Sequence, residues 1–126
     1  MNDIKNKVAY ITGGSKGIGL GIAKSLLDSG MRVAITSRSL GAAKEAAASL
    51  SNDSSKILAI ESEVSSLAAE MKAIKTVTDY FGQLDVVIAN AGIGHFAPID
   101  SITEEQWKET IDTNLTGVFN SVKASV

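Results

Sequence analysis

The spacing of three glycines near the N-terminus suits the binding of a pyrophosphate. They stand at positions 13, 17 and 19 of the segment Thr12-Gly13-Gly14-Ser15-Lys16-Gly17-Ile18-Gly19, between an apolar run and a stretch of helical period. At such a junction the backbone N–H groups and the helix dipole can face phosphate oxygens. Gly13 would allow a tight turn, Gly17 a close approach of the backbone to the phosphates, and Gly19 close contact between helix and strand. The alternative is a glycine turn that serves backbone geometry alone.

Strands and helices must hold this segment in place, and the rest of the chain has the sequence pattern of alternating strands and helices. Strand-length apolar runs alternate with longer segments of helical period, which is the signature of βαβ units and a parallel sheet. The predicted strands cover residues 8–11, 32–36, 57–60 and 86–88, and the predicted helices residues 17–29, 41–50 and 67–81. We expect a doubly wound α/β fold of three layers, with the parallel strands in the order 3-2-1-4.

Apolar side chains at three- and four-residue spacing indicate which helix faces pack on the sheet. In the first helix these side chains are Ile18, Ile22 and Leu26. In the third helix they are Leu67, Met71, Ile74, Val77 or Thr78, and Phe81, and Gly82 ends the helix. The second helix is rich in alanine and offers a small face for close packing.

Two overlapping capping boxes can begin a last helix: Ser101 with Glu104, and Thr103 with Gln106. An apolar stripe from Trp107 continues to the final residue, Val126, without a residue that would cap the end. The position of Trp107 in this stripe favours packing in the core or against a second subunit over a stacking role. We expect residues 1–126 to be one dinucleotide-binding domain that is cut in mid-helix.

Two further motifs follow the glycine segment, Ala89-Asn90-Ala91-Gly92 and Asp112-Thr113-Asn114-Leu115. Together the three resemble motifs of the short-chain dehydrogenase/reductase family: its Thr-Gly-x-x-x-Gly-x-Gly segment, its sheet-stabilising Asn-Asn-Ala-Gly motif with alanine here in first place, and the helix segment whose asparagine joins the catalytic tetrad. The resemblance covers the whole chain. It implies a Rossmann-type fold and reversible hydride transfer between a nicotinamide cofactor and a carbonyl or alcohol substrate.

The residues after the second strand favour NADP over NAD. A carboxylate about 20 residues beyond the glycine segment normally binds the ribose 2′-hydroxyl of NAD, but the chain has Thr36-Ser37-Arg38-Ser39 there. Arg38 can form charge-assisted bonds to a 2′-phosphate, with both serines as hydroxyl donors. Lys16 matches a position at which NADP-preferring relatives place a basic residue. The alternative is that Arg38 and Lys16 are solvated surface side chains.

After the third strand the chain has Glu63-Val64, where the resemblance implies an aspartate that contacts the adenine amino group. The longer glutamate leaves two alternatives, adenine contact or a plain surface carboxylate, and the Val64 backbone could border the ring. We therefore expect the cofactor to be bound by Gly13, Ser15, Lys16, Gly17, Ile18, Gly19, Ser37, Arg38, Ser39, Glu63, Val64, Asn90, Ala91 and Gly92.

The resemblance also implies a catalytic Ser and a Tyr with a Lys four residues later, and this constellation is absent. The only tyrosines are Tyr10 and Tyr80, and neither has a lysine at that spacing. Asn114 is the one predicted catalytic residue; without its partners we expect it to hold a helix kink or to bond to solvent. Asn90 should satisfy backbone groups beside the cofactor. His95 either contacts substrate or is merely solvated.

Composition excludes several other classes of function. The net charge of −2 over 126 residues gives no single-sign field for nucleic acid or an anionic membrane, and no apolar run is long enough to span a bilayer. With no cysteine and one histidine, we expect no metal site. The sequence thus predicts a cytoplasmic, homo-oligomeric NADP-dependent oxidoreductase, dimer or tetramer, with a small carbonyl or alcohol substrate. The alternative is a non-catalytic NADP-binding or interaction module.

Overall fold

The computed structural model describes residues 3–93 and 97–126. Strands and helices alternate in the order β1 Val8–Ile11, α1 Gly17–Asp28, β2 Arg32–Ser37, α2 Leu40–Leu50, β3 Ile57–Glu61, α3 Leu67–Phe81 and β4 Val86–Ile88. The chain then forms α4 Glu104–Ile111, a π-helical segment Asp112–Thr116, and α5 Gly117–Ser125.

The four strands form one parallel sheet in the order β3-β2-β1-β4, as the sequence predicts. Tyr10 in β1 lies opposite Ala34 in β2 and Val87 in β4, and Ile35 in β2 lies opposite Ala59 in β3. Because every residue of β1 is buried, the sheet is covered on both faces at its centre.

Two apolar clusters flank the sheet and complete a three-layer fold. On one face, Ile11, Val33 and Ile35 pack with α1 and with Ala46 and Ala47 of α2. The cluster on the opposite face is formed by Val8, Tyr10, Ala34, Ile60, Ala73, Ile74, Val77 and Phe81, with Ala124 of α5 packed against it. The predicted doubly wound α/β architecture is therefore confirmed.

Local signals fix the ends of three helices. The hydroxyls of Ser39 and Ser66 accept hydrogen bonds from the third backbone N–H after them, and so cap α2 and α3. The helix α3 ends at Gly82, whose φ of 82° is the left-handed conformation that glycine adopts readily. At α4 the structure uses the second predicted capping box, Thr103 with Gln106, and both reciprocal hydrogen bonds are 3.0 Å long.

Two predicted apolar stripes are wrong at single positions. Ile18 is 77% exposed rather than packed on the sheet. It stands in the first turn of α1, which extends past the end of β1 and lines a cavity there. Met71 is also exposed, at 57%, because the buried face of α3 runs through Glu70, Ala73 and Ile74. Glu70, which the predicted stripe did not include, is therefore buried in place of Met71.

The predicted last helix departs from expectation in two ways. It is not one α-helix, because Asp112–Thr116 has π-helical geometry. Core packing of Trp107 is also wrong for this chain, since its side chain is 61% exposed. The helix α5 packs on α3 and β4, and its buried residues are Gly117, Asn120 and Ser121. The opposite, apolar face of α5 is left exposed, with Phe119 at 59%.

Candidate functional site

A cavity of about 570 Å³ opens beyond the carboxyl ends of the strands. In open parallel sheets, ligands bind in this crevice, where the strand order reverses. All predicted cofactor-binding residues except Gly19 line it, together with residues that the sequence analysis missed: Thr36, Ala42, Ser62, Ile93 and Thr113. The position of Ser62 directly after β3, like that of Ser37 at the end of β2, was a signal that could have identified it.

The glycine segment forms the turn from β1 into α1. Gly13 has a φ of 66°, and a Cβ there would lie 2.8 Å from the Cα of Ala91, so only glycine fits the turn. Gly17 has a φ of 58°, but a Cβ there would meet nothing within 4 Å. The space above Gly17 is therefore open for a ligand to approach the backbone.

The N-terminus of α1 differs from those of α2, α3 and α4. Those three helices are capped by serine or threonine side chains, whereas no side chain caps α1 after its N-cap residue Lys16. The first N–H groups of a helix have no partner within the helix, and together with the dipole they attract anions. Lys16, Gly17 and Ile18 line the cavity, so the first turn of α1, which no side chain caps, begins beside it.

Thr12 and Asn90 join the glycine turn to the loop after β4. The Oγ1 atom of Thr12 accepts hydrogen bonds from the N–H groups of Asn90 and Ala91, both at 3.0 Å. The Nδ2 atom of Asn90 donates to the carbonyl of Gly13 at 3.2 Å. A Cβ on Gly19 would lie 2.6 Å from that same Nδ2, so Gly19 supports the turn from behind rather than lining the cavity. Asn90 thus satisfies backbone groups, as the sequence suggested.

Polar and charged side chains gather at the end of the cavity near β2 and β3. Arg38 is largely exposed, and its Nε atom lies 4.0 Å from Oε2 of Glu63. The other oxygen of Glu63 accepts hydrogen bonds from the hydroxyl of Ser65 at 3.1 Å and from its N–H at 3.4 Å. The carboxylate of Glu63 is therefore held between Arg38 and Ser65, an arrangement that the sequence analysis did not anticipate.

The two serines beside Arg38 accept local hydrogen bonds. The Oγ atom of Ser37 accepts from the N–H of Ser39 at 3.2 Å, and the Oγ atom of Ser39 accepts from the N–H of Ala42 at 3.2 Å. Among the residues that the structure describes, neither hydroxyl donates a hydrogen bond to an acceptor. Each hydroxyl can therefore donate to an anion in the cavity.

Asn114 lies in the π-helical segment and contacts the loop after β4. Its Nδ2 donates to the carbonyl of Ile93 at 2.7 Å, and its Oδ1 accepts from the N–H of Ile93 at 2.8 Å. A Cβ on Gly92 would lie 3.3 Å from this oxygen. Both polar atoms of the side chain thus bond to backbone, and they hold one wall of the cavity. His95 lies outside the described residues.

Neither tyrosine faces the cavity. Tyr10 is fully buried, and its hydroxyl donates to Oε2 of Glu70 at 2.8 Å. Burial, and then the negative charge of Glu70, raise the pKa of Tyr10 far above its usual value of 10.0. The hydroxyl of Tyr80 instead donates to the carbonyl of Ser54. The described residues therefore place no tyrosine hydroxyl at the cavity for proton transfer.

Two further classes of site receive no support from the described part of the chain. Residues 3–93 and 97–126 contain no group of three or more metal-ligating side chains that could hold an ion. No helix within the same residues is both long and apolar enough to cross a bilayer.

The model of the family described as short chain dehydrogenase matches residues 7–126. The chain belongs to this family. Among curated members, acetoacetyl-CoA reductase of Paracoccus denitrificans is 40% identical over 114 residues, which are 90% of this chain and 46% of that protein. The NADP-dependent (R)-specific alcohol dehydrogenase of Lentilactobacillus kefiri is 33% identical over 123 residues, 98% of this chain and 48% of that protein.

Solved structures of short-chain dehydrogenases have the same fold. The 3-ketoacyl-(acyl-carrier-protein) reductase of Brucella melitensis, complexed with NADH, superposes with a TM-score of 0.89 at 29% identity. The match covers 95% of this chain and 48% of that structure. The chain thus spans about half the length of the short-chain dehydrogenases that it matches.

Proposed function

We propose that this chain is the NADP-binding portion of a short-chain dehydrogenase/reductase that reversibly transfers hydride between NADPH and a carbonyl or alcohol substrate. The observation that carries the proposal is the combination, in one cavity, of the uncapped N-terminus of α1 with Arg38 and two serine hydroxyls. One end suits a pyrophosphate and the other a ribose 2′-phosphate.

The residues of the cavity fit such a cofactor in their chemistry. The glycine turn would bring backbone N–H groups to the pyrophosphate, because the space over Gly17 is open. Arg38 would bond to the 2′-phosphate, with Ser37 and Ser39 as donors and Lys16 adding positive charge. The nicotinamide would then lie toward Gly92 and Ile93, which line the cavity away from Arg38. When bound, the cofactor supplies the hydride.

We further propose that these residues are inactive by themselves. Reduction of a carbonyl needs a proton on the oxygen as hydride reaches the carbon, and neither tyrosine lies at the cavity to donate one. Asn114 holds the Ile93 backbone and is the predicted member of the catalytic group. A serine and a tyrosine–lysine pair would have to come from other residues.

A non-catalytic NADP-binding or interaction module is the second candidate, because the described residues place no tyrosine hydroxyl at the cavity. Equilibrium titration with NADPH and NADH tests the shared binding step. Tighter binding of NADPH supports the proposal, and equal affinities contradict the preference for NADP. The reading frame beyond Val126 separates the two candidates, because an enzyme requires a downstream serine and a Tyr-x-x-x-Lys sequence.

We also propose a homo-oligomer in the cytoplasm. The helical run from α4 through the π-helical segment to α5 exposes Trp107 at 61%, Leu115 at 65% and Phe119 at 59%, and these apolar side chains support self-association. Sedimentation measures the oligomeric state, and fractionation of expressing cells tests the location.

A further inference from the structure

The helix α3 contributes a carboxylate to the interior of the protein. Glu70 has no exposed surface, and hydroxyls from three other parts of the chain surround its oxygens. Oε2 accepts from the hydroxyls of Tyr10 at 2.8 Å and Ser62 at 2.5 Å, and Oε1 contacts the hydroxyl of Ser121 at 2.7 Å. None of the ion pairs within the described residues includes Glu70. Burial of a carboxylate is costly unless its oxygens are satisfied. These hydrogen bonds therefore join β1, the segment after β3 and α5 to Glu70 of α3.

The helix α5 makes two more contacts with the same region. Asn120 is 4% exposed, and its Nδ2 donates to the carbonyl of Val64 at 2.8 Å. Gly117 packs so closely on Val64 that a Cβ there would lie 2.7 Å from its Cγ2. Together with the Glu70–Ser62 bond, these contacts hold residues 62–64, which follow the end of β3.

Residues 62–64 form a wall of the cavity at the end that holds Arg38. Ser62, Glu63 and Val64 all line the cavity, and Glu63 contacts Arg38 there. If Arg38 bonds to a ribose 2′-phosphate, this end receives the adenosine half of the cofactor. Glu70, Asn120 and Ser121 lie behind the wall and do not line the cavity themselves.

We propose that Glu70, Asn120 and Ser121 are positioning residues that fix the wall at residues 62–64 for the adenosine half of the dinucleotide. This inference rests on the proposed function, because it requires that the cavity bind NADP(H). Glu70 acts through its hydrogen bond from Ser62, and Asn120 through its hydrogen bond to Val64. Ser121 acts indirectly, through its hydrogen bond to Glu70, and none of the three residues lines the cavity.

The test measures the affinity of the purified chain for NADPH and for 2′,5′-ADP, which has only the phosphorylated adenosine half. Asn120→Ala removes the bond to Val64, and Glu70→Leu removes the hydroxyl contacts. Each substitution should lower the affinity for NADPH and the affinity for 2′,5′-ADP by the same factor, about tenfold. Glu70→Gln should retain most of the affinity: its amide can donate to Ser121, whose hydroxyl already has the carbonyl of Gly117 as a second acceptor at 3.0 Å.

Ser125→Ala is the matched control. Ser125 lies on the same helix and donates to the carbonyl of Ser121 at 2.5 Å, but it does not contact residues 62–64. The affinity of the Ser125→Ala variant for both ligands should stay at the wild-type value even if the thermal stability of the variant falls. If Glu70→Leu fails to fold, the affinities of Asn120→Ala, compared with those of Ser125→Ala, test the positioning role.

Three results would overturn the inference, and they are distinguishable. Unchanged affinities in Asn120→Ala, with a wild type that binds both ligands, refute the positioning role and leave the proposed function intact. A loss for NADPH without a loss for 2′,5′-ADP places the effect elsewhere in the cavity and refutes it as well. A wild type that binds neither ligand refutes the proposed function and the inference together.

Discussion

Asn114 holds the backbone of Ile93 through both polar atoms of its amide, which donates at 2.7 Å and accepts at 2.8 Å. Later in the same helical run, Asn120 donates to the carbonyl of Val64 at 2.8 Å. The first contact lies at the loop after β4 and the second at the loop after β3. A single helical run, from α4 through α5, therefore sets the position of two walls of the cavity relative to each other.

Replacement of Arg38 should remove the preference for the phosphorylated cofactor. In Arg38→Ala we expect NADPH binding to weaken by about 1.5–3 kcal/mol, because a charged partner of the 2′-phosphate is lost. The affinity for NADH should change little. Calorimetric titration of both cofactors measures this difference, with Lys24→Ala as a control that removes an exposed cation paired with Asp28. Unchanged NADPH affinity in Arg38→Ala would rule out the assigned role.

Removal of the charge of Glu63 should have the opposite effect. Its carboxylate lies 4.0 Å from the Nε atom of Arg38, and a 2′-phosphate would compete for that guanidinium. Because exposed pairs are weak, we expect Glu63→Gln to tighten NADPH binding only about two- to fivefold. NADH affinity should not change, and in an Arg38→Ala background the gain should shrink. A gain of equal size for both cofactors would contradict this account.

A side chain at Gly17 should abolish dinucleotide binding without unfolding the protein. The φ of 58° disfavours a β-branched residue, and the side chain would project into the open space above the turn. We expect Gly17→Val to retain helical circular dichroism but to bind no NADPH. Gly21→Ala is the control, since that Cβ also meets nothing but lies within α1, and alanine should stabilise the helix by about 0.5–1 kcal/mol. Wild-type affinity in Gly17→Val would show that the turn serves geometry alone.

Tyr10 should make the stability of the fold sensitive to alkaline pH. Burial and the charge of Glu70 raise its pKa above the usual value of 10.0, so the folded chain keeps its proton where the unfolded chain releases it. The contribution of protonated Tyr10 to the free energy of unfolding is therefore fully present below about pH 10, and it is lost as the pH rises further. Urea unfolding at a series of pH values should show a steeper alkaline loss for the wild type than for Tyr10→Phe. Parallel curves would contradict the prediction; Thr76→Val, on the exposed side of α3, should follow the wild type.

The chain by itself should associate and show no turnover. Within the described residues β4 pairs with β1 on one side and has no strand on the other, and Val86 is 38% exposed. We expect sedimentation to detect oligomers or aggregates, and Phe119→Lys on the exposed face of α5 to reduce them more than Thr76→Lys. No carbonyl compound should cause NADPH oxidation. A monodisperse wild-type monomer would refute the first expectation, and cofactor-dependent turnover the second.

The sequence predicted those features that depend on local spacing. The ends of β1, α3 and β4 were predicted to the residue, because apolar runs and Gly82 specify them locally. Most of the residues that line the cavity followed from the glycine segment, from the polar residues after β2 and from the family resemblance. The buried network could not be predicted in this way, since Glu70 contacts Tyr10 at a separation of 60 residues and Ser121 at 51. A helical pattern alone does not reveal that two hydroxyls distant in the sequence, with a third from Ser62, stabilise a carboxylate in the core.

The π-helical segment Asp112–Thr116 accommodates one extra residue in the helical run from α4 to α5. A π turn accommodates one more residue than an α turn, so such a segment is equivalent to a single insertion into a regular helix. The residues before and after it keep the faces that they would have in an uninterrupted helix one residue shorter. A relative with one residue fewer between Asp112 and Thr116 could therefore keep α4 and α5 on their packing faces. Asn114 lies within this segment, so we expect such a relative to lose or change the paired contact with the backbone of Ile93.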